Sequence, residues 1–565
     1  MRRAAGIAAS ALALAALSGP LFFGLGRTDL DGDESIYAGV VERMVAGGPW
    51  LTPTEENGPF LEKPPLRFWL VAAPMKLGIL EPTEAGHRLV DATMSAGALV
   101  YVFLIARRLG GTASGLGAAF LVITQSHMLF VHGLRSGTME PLLVLAYCGA
   151  VHHFRRWADG AGWRHVVVVA AWCAAAVLAK TVGAVPLFVI LLAGPAFVPS
   201  WRARAVADVR PWGKAAALFV AVTVPWFVLQ FVQHGPAVWH SMFVEHVATR
   251  VTAFVDPAHV QPWWFYPAFV AGTLTMTWPY VVAGAVALAW RARTRPAAVL
   301  VALWFVVPIV LFSLAASKLA HYVYPALPAL AVIGGQAFGA AVDLVGDMRR
   351  VAPVCRRARM ALAMLVTGAL TLALVVALRG RVDVALGPLN VRTASPARPA
   401  LAAAAGVLVL FGRRRAAVGV LGVALAASEV NREYGRALEH AAVRRQPLGA
   451  FVACLSAHSG GDQRRIRVSI GRPLWRDERY YFGRIGWRES KELDPGHLTR
   501  RVRDPERDTP VVLDDEHYRA LLPSMVEWPP EIRASTSFAP LRDHDLFVLL
   551  PGRFRPCAAA GGAAP

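Results

Sequence analysis

The chain has 565 residues, of which 55% are hydrophobic and only 17% charged, against about 25% charged in an ordinary soluble domain. With a mean hydropathy of +0.44, this excludes a large soluble enzyme and indicates a polytopic membrane protein. The net charge of +20 does not argue for nucleic-acid binding, because the basic residues cluster in short stretches between apolar runs, as the positive-inside rule expects.

The first span covers residues 5–25, with Arg2 and Arg3 holding its start in the cytoplasm, and is read as an uncleaved helix rather than a signal peptide. An outward loop follows (27–65), carrying Asp31, Asp33, Glu34, Glu62 and Lys63. Such charges need water, each other, a metal or a ligand. Within it, IYAGVVERMVAGG has apolar residues at helical spacing. Residues 66–79 are too short and too broken by Pro74 and Lys76 for a span, and read as interfacial or re-entrant.

Spans then alternate: 87–106 to Arg107 and Arg108, 112–131 outward, and a helix from 141 to the basic HHFRRW. Further spans cover 165–179, 183–198, 215–231, 263–290, 297–316 and 323–341, with an outer loop at 233–262. Weaker apolar stretches at 360–378, 399–411 and 416–431 complete about thirteen spans, each matched to a hydrocarbon core of ~30 Å. From about residue 440 charge rises and apolar runs shorten. AFVACLSA, PVVLDD and HDLFVLLP read as strands of a small α/β or mostly β domain outside the membrane. The five cysteines lack metal-ligand spacing; Cys454 and Cys557 share this last segment and could pair in an oxidising compartment.

Five outward positions carry charge that calls for a partner. Asp33 and Glu34 suit a general base, a metal ligand or a helix cap. Glu62 and Lys63 precede Pro64 and Pro65, which deny the pair a helix and fix its place. Arg135 and Glu140, at i,i+5, do not share a helical face. Glu245 and His246 are possible divalent-metal donors if Glu62 joins them, while His234 and His240 read as interfacial. Lys318, His321 and Tyr322 lead into a Pro-punctuated helix and suit an anionic headgroup or simple anchoring; Lys180 suits phosphate binding or snorkelling equally.

In order, D-E-x-x-Y-A (Asp33, Glu34, Tyr37, Ala38), E-K-P-P (Glu62–Pro65), E-H (Glu245, His246) and S-K-L-x-H-Y-x-x-P-A-L-P-A-L (Ser317–Leu330) closely resemble the polyprenyl-phosphate-sugar-dependent membrane glycosyltransferases. These include the lipid A aminoarabinose transferases and, more distantly, the protein O-mannosyltransferases. The resemblance covers residues 5–340. It implies a C-type glycosyltransferase fold: a transmembrane domain over 1–435, with the catalytic first outer loop at 27–65, and a soluble extracytoplasmic domain over 436–565. It also implies inverting transfer of a sugar from a polyprenyl-phosphate donor to a lipid A, cell-envelope glycan or protein acceptor, at the outer face of the inner (plasma) membrane. Membrane lipids are the other expected partner, and nucleic acid is not one. Asp33 matches the family's loop-one acid, the expected base, with Glu140 as the second acid where relatives often have Asp. Glu62 and His246 match ligands of a divalent cation (zinc, magnesium or manganese), and Lys63 the donor-phosphate contact. Arg135, Lys180, Lys318, His321 and Tyr322 are further donor contacts. The competing class, a transporter or flippase of lipid-linked sugars, would favour matched half-repeats and charges at the bilayer midplane, and neither is found.

Overall fold

The computed structural model describes residues 2–56, 58–248, 259–274, 277–292, 296–347, 382–386, 389–393, 448–458, 467–469, 474, 476–484, 510–530, 536–541 and 546–551. The apolar runs become helices that bury against one another. α1 (Arg2–Phe22) packs along α4 (Glu84–Ile123), which is read as two spans because Gly110 and Gly111 leave helical geometry. Gly111 sits at φ +88°, a backbone state open to glycine and strained for other residues. Between them lie α2 (Asp33–Val45), a short β1 (Thr54–Glu55)–β2 (Gly58–Pro59) hairpin and α3 (Leu66–Lys76). α3 is 11 residues long, as expected of an interfacial element rather than a span.

The bundle continues through α5 (Ser126–Phe130), α6 (Glu140–Ala158), α7 (Arg164–Ala179), α8 (Thr181–Phe197), α9 (Pro199–Ala207) and α10 (Val209–His234). After α11 (Pro236–Trp239) and a π-helical segment (His240–Ala248) come α12 (Phe265–Leu274), α13 (Trp278–Ala292), α14 (Ala297–Ser313), a 3₁₀ turn (Ala320–Ala326) and α15 (Leu327–Asp347). α15 lies along α4, with Phe338 edge-on to Phe120. One continuous core runs from Leu21 through Tyr147 and Trp157 to Trp304 and Val332. Val220, Val222, Val224, Val228, Phe231 and Val232 of α10 stay exposed, an apolar band suited to lipid.

Among the described residues three helices are long and apolar enough to cross a membrane, or up to five if each bent pair counts as one span; shorter apolar helices accompany them. The expected spans at 360–378, 399–411 and 416–431 lie outside the described residues.

The C-terminal region forms a four-stranded sheet in the order β5 (Arg467–Ser469), β6 (Val511–Asp514), β8 (Leu546–Pro551), β7 (Thr536–Leu541), with β5–β6 parallel and the other pairs antiparallel. Before it in sequence, β3 (Val382–Leu386) pairs with β4 (Leu389–Thr393). PVVLDD and HDLFVLLP are strands, but AFVACLSA is not. It lies in helix α16 (Leu448–His458), because Leu448, Phe451, Val452 and Leu455 fall on one helical face and are buried together against Tyr481 and Phe482. Cys454 is disulfide-bonded, and the Cys557 of the expected pair lies outside the described residues. Two more helices, α17 (Arg476–Arg484) and α18 (Asp515–Val526), flank the sheet.

Candidate active site

Two buried arginines fix the first outer loop on the bundle. Arg88, near the start of α4, donates to the backbone carbonyls of Leu25 (2.7 Å), Thr28 (2.8 Å) and Asp29 (2.7 Å), and forks onto Glu34 at 2.8 and 2.5 Å. Gly137 N–H also donates to Glu34. Burial alone would raise the Glu34 carboxyl, but the Arg88 guanidinium outweighs it and holds the group below the usual carboxylate range. Arg67 of α3 donates to Asp91 of α4 at 2.5 and 3.2 Å, with both side chains essentially inaccessible. These pairs were not singled out from the sequence. The signal was present: Arg88 and Asp91 are charges inside an apolar run, which need partners by default.

α2 begins at Asp33, after Gly32 turns the chain at φ +54°. Its apolar face (Tyr37, Val40, Val41, Met44) packs on Phe60, Phe68 and Val71 of the hairpin and α3. This places Asp33 at the rim, one third exposed, where Arg476 of α17 donates to it at 2.7 Å and the Tyr37 hydroxyl lies 3.4 Å from its other oxygen. Burial pushes the Tyr37 phenol well above its ordinary value. The carboxylates of Asp33, Glu140 and Glu62 push the same way and Arg67 opposes them, so three acids from distant segments act on one ring.

Glu140 opens α6 and is buried. Lys180, between α7 and α8, donates to it at 2.6 Å, and His321 Nε2 lies 3.9 Å away. The His321 ring stacks on His132 at 5.0 Å and meets Tyr322 edge-on at 5.0 Å, while the Lys180 ammonium lies 5.3 Å from the Tyr322 ring centre. Asp33 also acts electrostatically on Lys180. Arg135 and Glu140 turn to different partners, Arg135 to the carbonyls of Pro20 and Phe23 and Glu140 to Lys180.

Arg135 donates to the carbonyls of Pro20 and Phe23 at the end of α1 and lies over the Phe130 ring. The Lys318 ammonium is bound by the carbonyls of Gln261 (2.8 Å) and Ala315 (2.5 Å), and its N–H donates to His259 at 2.8 Å, which ties 259–261 to the chain before the 3₁₀ turn. Lys63 Nζ is 3.6 Å from Glu62. The backbone of His246 is π-helical, and its side chain lies outside the described residues. Among the described residues no group of three or more His, Cys, Asp or Glu could hold a metal ion. No chemical step is derived through a cation.

Residues 62–229 match the family model described as dolichyl-phosphate-mannose-protein mannosyltransferase. The undecaprenyl phosphate-alpha-4-amino-4-deoxy-L-arabinose arabinosyl transferase 1 of Pseudomonas fluorescens is 27% identical over 312 residues, 54% of this chain and 53% of that protein. The corresponding transferase of Shewanella sediminis is 28% identical over 329 residues, 56% and 58%. The chain spans about half the length of the relatives it matches. The crystal structure of ArnT from Cupriavidus metallidurans bound to undecaprenyl phosphate superposes with a TM-score of 0.62 at 18% identity, covering 98% of this chain and 99% of that one. The apo form gives 0.59 at 19% identity, covering 96% and 98%. The chain is thus related to the polyprenyl-phosphate-dependent membrane glycosyltransferases and has their polytopic α-helical GT-C fold, completed by a small C-terminal β-sheet.

Proposed function

We propose that the protein transfers a sugar, with inversion, from a polyprenyl-phosphate donor to an extracytoplasmic lipid, glycan or protein acceptor. The carrying observation is the convergence of Glu140, Lys180, His321 and Tyr322, from three separate segments, with Asp33 acting electrostatically on the same Lys180. In this reading Asp33 takes the proton of the acceptor hydroxyl as that oxygen attacks the anomeric carbon. The bond from that carbon to the phosphate oxygen breaks, and the lipid phosphate leaves with the electron pair. Positive groups set beside the departing phosphate offset its growing charge, the role given to Lys180 and Lys63. Glu140 orients Lys180 and His321 rather than reacting itself. Arg135 and Lys318, whose charges meet backbone carbonyls, shape the walls around the donor.

The thirteen-span topology, the boundary near residue 435 and an outward-facing site belong to the same reading. So does a cation at Glu62 and His246, for which metal content of the purified protein and its loss in Glu62→Ala is the check.

The decisive experiment incubates purified protein with a panel of polyprenyl-phosphate sugars and follows donor loss by mass spectrometry. Asp33→Asn is expected to lower transfer by at least about a hundredfold while leaving expression and donor-lipid binding near normal. Near-normal turnover in that variant removes Asp33 from the role of base, and no turnover of any donor by the unaltered protein overturns the transferase reading.

A further inference from the structure

The turn between α5 and α6 holds a residue to which no role has yet been given. Among the described residues His132 is the one non-glycine residue with a positive φ, 47°. That left-handed state is uncommon for a residue with a Cβ and persists only where the surroundings over-determine it. Here they do. On one side, the Val131 carbonyl accepts from the Tyr324 hydroxyl at 2.6 Å. On the other, Leu134 N–H donates to the Met128 carbonyl (2.8 Å), the Leu134 carbonyl accepts from the Ser95 hydroxyl (2.5 Å), and Gly133 N–H donates to Ser136 Oγ (3.1 Å). Gly133 lies so close to the Met128 carbonyl that any Cβ there would collide with it. Both flanks of the turn are tied down, and His132 takes the bend between them.

The bend carries the imidazole to the centre built on Glu140. The His132 ring stacks on His321, with ring centres 5.0 Å apart and planes 26° apart, and it acts electrostatically on Glu140. Glu140 is itself paired with Lys180 at 2.6 Å and has His321 Nε2 at 3.9 Å. The ring of His132 is half-buried, and its nitrogens make no hydrogen bond among the described residues. An imidazole N–H is therefore held beside the Glu140–Lys180 pair in a strained backbone pose, with neither ring nitrogen used to hold the fold. A bend that served the fold alone would be better met by glycine.

We propose that His132 is a further catalytic residue of the transfer reaction, whose imidazole N–H donates a hydrogen bond to a phosphate oxygen of the polyprenyl-phosphate sugar. The proposal rests on the transferase reading. As the bond from the anomeric carbon to the phosphate oxygen breaks, the electron pair passes to that oxygen and negative charge grows on the phosphate. An N–H fixed beside it stabilises that charge more than the charge of the intact lipid, which lowers the barrier. No proton changes hands in this step, so the imidazole ends in the state in which it began. Glu140 is committed to Lys180, so the N–H left over at His132 suits an anion. Stacking on His321 sets the ring plane before the lipid arrives, which removes the need to order the side chain during the reaction.

The test uses the full chain in uncharged detergent, with the variants His132→Gly and His132→Asn. Both replacements accept a positive φ, so the turn keeps its shape while the imidazole is lost. The kcat for a polyprenyl-phosphate sugar is expected to fall by about tenfold or more in each variant, with Tm unchanged or raised. Free imidazole in the buffer is expected to restore part of the turnover of His132→Gly, where the ring has left a space. Affinity for polyprenyl phosphate, read by quenching of tryptophan fluorescence, should fall by about tenfold in His132→Gly, while affinity for the polyprenol lacking phosphate stays as it was. Undiminished turnover in His132→Gly, or a loss that a lowered Tm matches and imidazole does not restore, makes the residue structural and overturns the proposal. So does an unaltered affinity for polyprenyl phosphate, or an equal loss for the polyprenol. If the unaltered protein turns over no donor, the transferase reading fails, and the two affinities still decide whether the imidazole meets a phosphate.

Discussion

Asp33 and Glu34 are adjacent in sequence and open the same helix, yet they meet two different regions of the molecule. Glu34 turns inward to the junction of α1, α2 and α4, where Arg88, Gly137 N–H and the Asp31 N–H surround it. Asp33 turns to the rim, one third exposed, where its partner Arg476 is itself mostly exposed. The difference teaches what kind of work each carboxylate can do. A buried acid forked onto a buried arginine is committed to the fold, since freeing it leaves an uncompensated charge. An acid at a rim, held by an exposed arginine, can exchange that partner for a substrate hydroxyl.

The sharpest way to break this comparison is to remove one member of the inward pair. Glu34→Gln or Arg88→Leu is expected to destabilise the fold by about 3–5 kcal/mol, read as loss of monodisperse protein and a lowered Tm in detergent, whereas Asp33→Asn leaves Tm nearly unchanged. If Asp33→Asn proves as destabilising as Glu34→Gln, the two carboxylates do not differ in the way described. Arg67→Leu, which strands Asp91 in the core, should cost a similar amount for the same reason.

A smaller effect separates fold from site at Glu140. Lys180→Met removes the charge that faces Glu140 at 2.6 Å, and donor turnover is expected to fall by about a hundredfold. His321→Ala, at 3.9 Å and stacked on His132, should cost less, about tenfold. Steady-state turnover on one defined donor checks both, and a reversed order would place His321, not Lys180, beside the leaving group.

The gentlest perturbation is pH, acting on the outward side of α2. Burial raises the Glu42 carboxyl, but the His87 hydrogen bond, the Arg484 charge and the Tyr480 hydroxyl outweigh it and leave it below the usual range. Its stabilising contribution is therefore complete above the ordinary carboxylate value and is lost as pH falls from there through the depressed one. Hydrogen exchange in α17 should accelerate over that window. Glu42→Gln should flatten the response, and Tyr480→Phe should weaken docking of α17 by about 1 kcal/mol.

Much of this was legible in the chain. Apolar runs bounded by arginine clusters marked the long helices such as α1, α4, α6, α7 and α10, but 263–290, expected as one span, is broken into α12 and α13, and the basic stretch after 199, expected as a loop, forms α9. Proline after Glu62 and Lys63 marked an irregular stretch before α3, and the helical spacing of Val40, Val41 and Met44 foretold the buried face of α2. Other features were not. AFVACLSA reads as a strand because eight apolar and small residues carry no decisive period; burial against Tyr481 and Phe482 chose the helix. Lys318 and Arg135 are basic residues near outer loops, and nothing local says that their charges meet backbone carbonyls rather than a ligand.

By itself, then, the sequence determined the membrane class, the order of the helices and the few outward segments rich in charge, because hydrophobic period and charge clustering are local properties that survive without a fold. Tertiary structure decided which charges meet. Lys180 is 40 residues from Glu140 and Arg476 is 443 from Asp33, and ionic contacts fall off within a few ångströms, so only the packing of α2, α6, α7 and α17 could turn scattered acids and bases into pairs.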